Sequence, residues 1–149
     1  MVYPVLSDEY FMNEALKEAQ KAMEMEEVPV GAVVVNQNRI IARAHNMTQQ
    51  LNDVTAHAEM IAITSASNYL GAKYLNGCSL FVTLEPCLMC AAALKWAQLD
   101  RIVYAASDPK EGFTCLGKEV LHKKTEVVPG ILNDPSSSLL TQFFMKLRP

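Results

Sequence analysis

Near the start of the chain, apolar positions recur at helical spacing: Met12, Ala15, Leu16, Ala19, Ala22 and Met23. They follow Ser7, which suits an N-cap, with Asp8 and Glu9 in the first turn. This pattern predicts a first helix ending near Glu26. Two β-branched runs come next, Val30 to Val35 and Arg39 to Ala44, and the short polar "NQN" between them suits a hairpin. "NMTQQLNDVT" reads as a polar loop. A second helix is predicted from about Ala56 to Asn68, closed by the turn residues of "GAKYLNG". "CSLFVTL" and "RIVYAA" are apolar runs without polar alternation, as in parallel strands buried on both faces. "PCLMCAAALKWA" between them reads as a helix with its proline at the first helical position. The segment from Ser107 to Lys124 is irregular. "TEVV" is a short strand, and "NDPSSSLLTQFFMKL" is a last helix that Asp134 caps and Pro135 starts. No repeat, low-complexity tract or linker intervenes, so residues 1–149 are expected to form a single three-layer α/β domain.

Composition narrows this picture. With 149 residues and half of them apolar, the chain can build one substantial core. A net charge of -3 gives no global basic field, so any nucleic-acid partner must be held by a local patch. The evident basic cluster for phosphates is Lys110, His122, Lys123, Lys124, Lys146 and Arg148, although such residues more often form a solvated surface. "MVYPVLSDEY" has no basic region followed by a long apolar core, and nowhere do eighteen uncharged apolar residues run together. The expectation is a cytoplasmic protein without a membrane partner. Cys78, Cys87, Cys90 and Cys115 are then reduced thiols, available for metal binding or catalysis.

Cys87 and Cys90, three apart at the first turn of a helix, lie on one side and can share a tetrahedral ion. The helix N-terminus also favours their thiolate forms. Alone, the pair reads nearly as well as small buried hydrophobes, or a redox couple, as it does as metal ligands, and the apolar centre of "PCLMC" with no tryptophan before it disfavours a thioredoxin-like use. "TAHAEM" changes the balance by placing His57 and Glu59 at the front of the other apolar helix. Two positions on a helix are about 200° apart, so these side chains meet only at something lying off the helix tip. One imidazole and two thiolates give zinc three ligands and leave the fourth position for water, as catalytic sites require. A closed structural site needs a fourth protein ligand from Cys78, Cys115, His45 or His122, none of which has a characteristic spacing. Together, H-A-E and P-C-L-M-C match the zinc-deaminase pattern H-x-E…P-C-x-x-C, in which the glutamate moves protons and is not a ligand.

"EVPVGAVVV", "ARAHN", "TAHAEM", "TLEPCLMCAAAL", "RIVYAASDPKEG" and "GIL…LLTQFFMKLR" together resemble the bacterial tRNA-specific adenosine deaminases, from about Met12 to Arg148. The resemblance implies the cytidine deaminase-like fold, a mixed five-stranded sheet between helices, and a homodimer. It implies one zinc at His57, Cys87 and Cys90, and proton transfer by Glu59. The implied substrate is the wobble adenosine of a tRNA anticodon loop, flipped out of its single strand and converted to inosine. The implied substrate contacts are Asn46 for the base, Val30 and Ala58 lining the pocket, and the loop around Asp108, Lys110 and Gly112 for flanking nucleotides. Phe143 and Phe144 either stack on bases or anchor the last helix, with Phe144 kept as a substrate contact and at least one of the two expected in the core. Cys78 and Cys115 are expected as free thiols in the core. The chain departs from the family pattern at "KEGFTCLGKEVLHKKTEV", which is shorter than usual and puts Phe113 and Cys115 where small residues are usual. A free nucleobase or nucleoside deaminase, for guanine or cytosine, uses the same zinc chemistry and is the alternative. A non-catalytic module in which zinc only supports folding is the second.

Overall fold

The computed structural model describes residues 5–147. Helix α1 (Asp8–Glu24) begins as its sequence dictates, with the Ser7 hydroxyl accepting from the Tyr10 N–H. Strands β1 (Gly31–Asn36) and β2 (Arg39–His45) form an antiparallel hairpin. Gln37 and Asn38 turn it with φ of 52° and 62°, the two left-handed residues of a tight hairpin turn whose twist suits the strands. A bulge between Val34 and Val35 shifts the register, so Val35 pairs with Ile40. The loop read as wholly polar contains a short helix α2 (Thr48–Leu51). Helix α3 (Ala58–Leu70) follows and stops at Gly71, whose φ of 65° suits a residue without Cβ.

Strand β3 (Cys78–Leu84), helix α4 (Leu88–Ala97) and strand β4 (Arg101–Ala106) form the expected parallel crossover. One detail differs: the helix begins at Leu88 with Cys87 as its cap, so Pro86 lies before the cap rather than at the first helical position. Residues 107–124 carry two single 3-10 turns, Phe113–Cys115 and Lys118–Val120. Strand β5 (Glu126–Val128) is parallel to β4, and helix α5 spans Asn133–Leu147, one residue ahead of the expected Asp134 cap. The sheet order is β2-β1-β3-β4-β5.

Alternation along the strands explains the two-sided burial. Ala32, Val34, Leu80, Val82, Ile102 and Tyr104 face α3 and α4, whereas Val33, Val35, Phe81, Val103 and Ala105 face α1. Two helical layers therefore sandwich one sheet, the expected α/β/α arrangement. Gly31 is where α1 crosses β1, because a Cβ there would overlap the Ala15 carbonyl and the Ala19 amide. Charge also ties α1 to the sheet. Arg43 of β2 holds Glu14 at 2.7 Å, and Arg101 of β4 grips both oxygens of Asp8 at 3.1 and 2.9 Å. Lys17 and Arg43 hold the Glu14 carboxyl below its ordinary range, Lys17 having the larger effect. Among the described residues, no helix is long and apolar enough to cross a membrane.

Candidate active site

Sheet topology gathers the chemistry at one edge. Because β1 is antiparallel to both β2 and β3, and β3 is parallel to β4, the carboxyl ends of β2, β3 and β4 coincide. His45 pairs with Gly31, Ala32 with Val82, and Leu84 with Ala106, all along this edge. The segments leaving it carry Val30, Asn46, His57 to Glu59, Cys87 to Cys90, and Asp108 to Gly112. Crevices outside the carboxyl ends of α/β strands are where ligands usually bind such sheets.

Two helix tips meet there. His57 and Cys87 occupy the cap positions of α3 and α4, and neither side chain caps its own helix. At α3 the task falls to Asn46, whose Oδ1 accepts from the Ala58 N–H at 2.8 Å. That bond releases the His57 ring to turn outward, and its Nδ1 lies 3.7 Å from Cys87 Sγ and 3.4 Å from Cys90 Sγ. A tetrahedral zinc bound at about 2.0–2.1 Å to nitrogen and about 2.3 Å to sulfur sets such atoms about 3.6 Å apart. The three donors thus fit the ion. Among the described residues they are the only group of histidine, cysteine or acidic donors that converges in this way. His45, Cys78, Cys115 and His122 do not join it. His45 Nδ1 contacts the Asn46 carbonyl at 3.0 Å, and Cys78 is buried at the start of β3. Cys115 corrects an expectation: it is exposed rather than in the core, because its 3-10 turn buries Phe113 and leaves Cys115 on the outer side, where its thiol donates to the Pro109 carbonyl at 3.4 Å.

The electrostatics follow from this convergence. Cys90 and then His57 donate to Cys87 and hold its thiol down to about 4, while the Cys87 sulfur pushes the Cys90 thiol up. The same sulfur raises His57. Glu59, the second residue of α3, is 4% exposed, and burial pushes its carboxyl up to about 7. Its own backbone N–H partly opposes that rise, and Cys90 also hydrogen-bonds it. A carboxyl that titrates near neutrality beside a metal-ligand triangle can both take and give a proton.

The remaining expected residues fall into distinct settings. Val30 and Ala58 are buried, and the Val30 carbonyl accepts from Asn46 N–H at 3.1 Å. Asp108 folds its own loop, its Oδ1 accepting from the amides of Lys110 and Glu111 at 3.1 and 3.0 Å. Lys110 is exposed, whereas Gly112 is buried. On α5, Phe143 is buried and Phe144 is 46% exposed, so one ring anchors and the other faces outward. Helix α5 is pinned by the Ser136 hydroxyl donating to the Thr83 carbonyl, and Phe144 lies eight residues on, about 12 Å along the axis. The basic set is divided. Lys124 pairs with Asp100 at 3.3 Å, His122 and Lys123 line a cavity of about 1110 Å³ beside β5, Lys146 sits exposed on α5, and Arg148 lies outside the described residues. That cavity contains none of the three metal-site residues.

Beyond Glu14 and Glu18 of α1, two buried carboxylates that serve backbone amides escaped the sequence reading. Glu27 accepts from the amides of Gln49 and Gln50 at 3.1 and 2.8 Å and so caps α2, which leads toward His57. Glu85 accepts from Asp108 and Thr114. The one signal was position: each charge sits beside an apolar run next to a proline-containing turn, in "EEVPVGA" and "TLEPC".

Comparison with known proteins agrees with this geometry. Residues 6–106 match the family model described as the cytidine and deoxycytidylate deaminase zinc-binding region. A tRNA-specific adenosine deaminase of Aquifex aeolicus is 45% identical, over 96% of this chain and 97% of that one. A solved structure from work on A-to-I editing by tRNA:A34 deaminases at the wobble position has a TM-score of 0.82 and 44% identity, covering 88% of this chain and 99% of that one. A guanine deaminase from Nitrosomonas europaea reaches a TM-score of 0.83 at 23% identity, over 94% and 86% of the two chains, a likeness of fold.

Proposed function

Since this chain belongs to the cytidine and deoxycytidylate deaminase zinc-binding family, we propose that it is a hydrolase that converts the wobble adenosine of a tRNA anticodon to inosine and releases ammonia. The observation that carries this reading is the triangle of His57, Cys87 and Cys90 with the neutral-range carboxyl of Glu59 beside it. These three residues would hold one zinc per chain, the cofactor of the family. Zinc bound there supplies Lewis-acid activation of water, lowering its pKa from about 15.7 toward about 7.

The chain's own groups do the rest. Glu59 accepts the proton of the attacking water as its oxygen bonds to C6 of the base, and passes a proton to the adjacent ring nitrogen. It then takes the remaining proton from the new hydroxyl on C6 and delivers it to the exocyclic amine, so that a carbonyl forms as the C–N bond breaks and ammonia leaves. Asn46 offers a donor to the base, because its Oδ1 is engaged by α3, which leaves the Nδ2 amide for that task. Val30 and Ala58 give the extruded base an apolar wall, and Asp108, Lys110 and Phe144 attend the flanking nucleotides. A homodimer belongs to the same reading, with Leu88 and Trp96 on α4 and Tyr69 on α3 as exposed apolar surface for the second copy. Residues 1–149 act as one deaminase unit.

The test offers the zinc-loaded protein an anticodon stem-loop with a wobble adenosine, beside free adenine, guanine, cytosine and their nucleosides. Inosine formed in the RNA alone supports the reading. Ammonia from guanine or cytosine alone would replace it with a free-base deaminase, and inactivity on every substrate, with zinc retained, would favour a folding role for the ion.

A further inference from the structure

We infer that Glu85 is a positioning residue for RNA binding: from beneath the site it fixes the loop that carries Lys110, and so sets how well flanking nucleotides are held. This rests on the RNA-deaminase reading above. Glu85 is 3% exposed and joins the end of β3 to the tip of α4. Its amide donates to the Ala106 carbonyl at 2.8 Å, extending the β3/β4 ladder, so its backbone is as rigid as the sheet. None of the ion pairs among the described residues includes its carboxylate. Loop donors satisfy it instead. Oε1 accepts from the Asp108 amide at 3.0 Å, and Oε2 accepts from the Thr114 amide at 3.0 Å and the Thr114 hydroxyl at 2.7 Å.

The two oxygens therefore grip both ends of the segment 108–114, with Lys110 at its exposed bend. Closure from within is complementary: Gly112 N–H donates to the Asp108 carbonyl at 2.9 Å, and Phe113 N–H donates to the Pro86 carbonyl at 3.0 Å. Gly112 also forms a β-bridge with Cys87. Its φ is an ordinary -66°, so glycine is needed there for space alone, because a Cβ would overlap the Glu85 carboxylate. Carboxylate and loop are thus fitted to each other at contact distance. A buried charge satisfied by three donors is costly to disturb, since removing the acceptor leaves those donors unpaired.

The experiment compares zinc-loaded wild type with Glu85→Gln, Thr114→Val and Gly112→Ala. Thr114→Val removes one donor, and Gly112→Ala pushes the loop away with Glu85 intact. Each is read for zinc content, KM and kcat on the stem-loop, and amide hydrogen exchange at Asp108 and Thr114. Positioning predicts one zinc per chain throughout, exchange about tenfold or more faster in Glu85→Gln and Gly112→Ala, and a smaller change in Thr114→Val. KM should rise about tenfold while kcat moves less than about threefold, as expected when ground-state binding is lost. Unchanged exchange, or a lost kcat with lost zinc and unaltered KM, would overturn the inference. Should wild type itself leave the stem-loop untouched, the functional reading fails and the RNA-positioning role falls with it, while exchange still decides whether Glu85 anchors the loop. If Glu85→Gln does not fold, Gly112→Ala and Thr114→Val carry the same comparison.

Discussion

The role proposed for Glu59 rests on its burial. A carboxyl in water is fully ionised at neutral pH and a poor acid, but enclosure behind the tip of α3 brings it to about 7, where both protonation states are populated. Glu59→Gln keeps the shape of the side chain and removes the proton shuttle. We expect it to retain one zinc per chain by metal analysis while kcat falls about 10²- to 10⁴-fold on the stem-loop. Undiminished turnover would remove Glu59 from its role. His57, Cys87 and Cys90 were legible in the sequence because metal ligands come from a small set of side chains at restricted spacings. Glu27 and Glu85 were not, since a buried carboxylate that serves backbone amides looks, as a letter, like any surface charge. Cys115 misled for the converse reason: it lies between Phe113 and Leu116, yet the 3-10 turn that carries it buries Phe113 and leaves Cys115 exposed.

At the scale of elements, the site depends on how α3 begins. Asn46 supplies the missing cap, and under the proposed function the same side chain also recognises the base. The two roles are separable, because aspartate keeps the accepting oxygen but has no amide donor. Asn46→Asp should melt within a degree or two of wild type yet lose kcat/KM about tenfold or more, whereas Asn46→Ala should lose both activity and about 1 kcal/mol of stability. Thermal melts beside kinetics check this, and equal melting losses in both variants would contradict it. The tie between α1 and β2 carries a pH signature. Lys17 and Arg43 depress the folded carboxyl of Glu14 below its unfolded value near 4.5. Its stabilising contribution is therefore present above pH 4.5 and is lost as pH falls through the lower folded value. Arg43→Met should lessen the Glu14 part of that acid limb in denaturant titrations from pH 6 to pH 2, and Lys17→Met should lessen it more. Strands and long helices were legible because their periodicity is enforced by burial on known faces. Pro86 was assigned inside its helix because proline suits a first turn, but Cys87, a cap without a capping bond, takes the boundary so that its sulfur can face His57.

Across the whole molecule, the sheet does the gathering. Residues more than fifty positions apart in the chain, from Val30 to Glu85, reach one edge because three strands end there together. The α/β class was readable from the order of runs, but this meeting of ends was not, since it depends on β1 being antiparallel to both neighbours. Mixed pairing thereby places the tips of α3 and α4 face to face, and the account stands on what those tips enclose. X-ray absorption at the zinc edge of the loaded protein measures it directly. We predict two sulfur neighbours at about 2.3 Å and two lighter atoms near 2.0 Å, one from His57 and one from solvent. A third sulfur, or a second histidine in place of solvent, would show a closed structural centre and contradict the account.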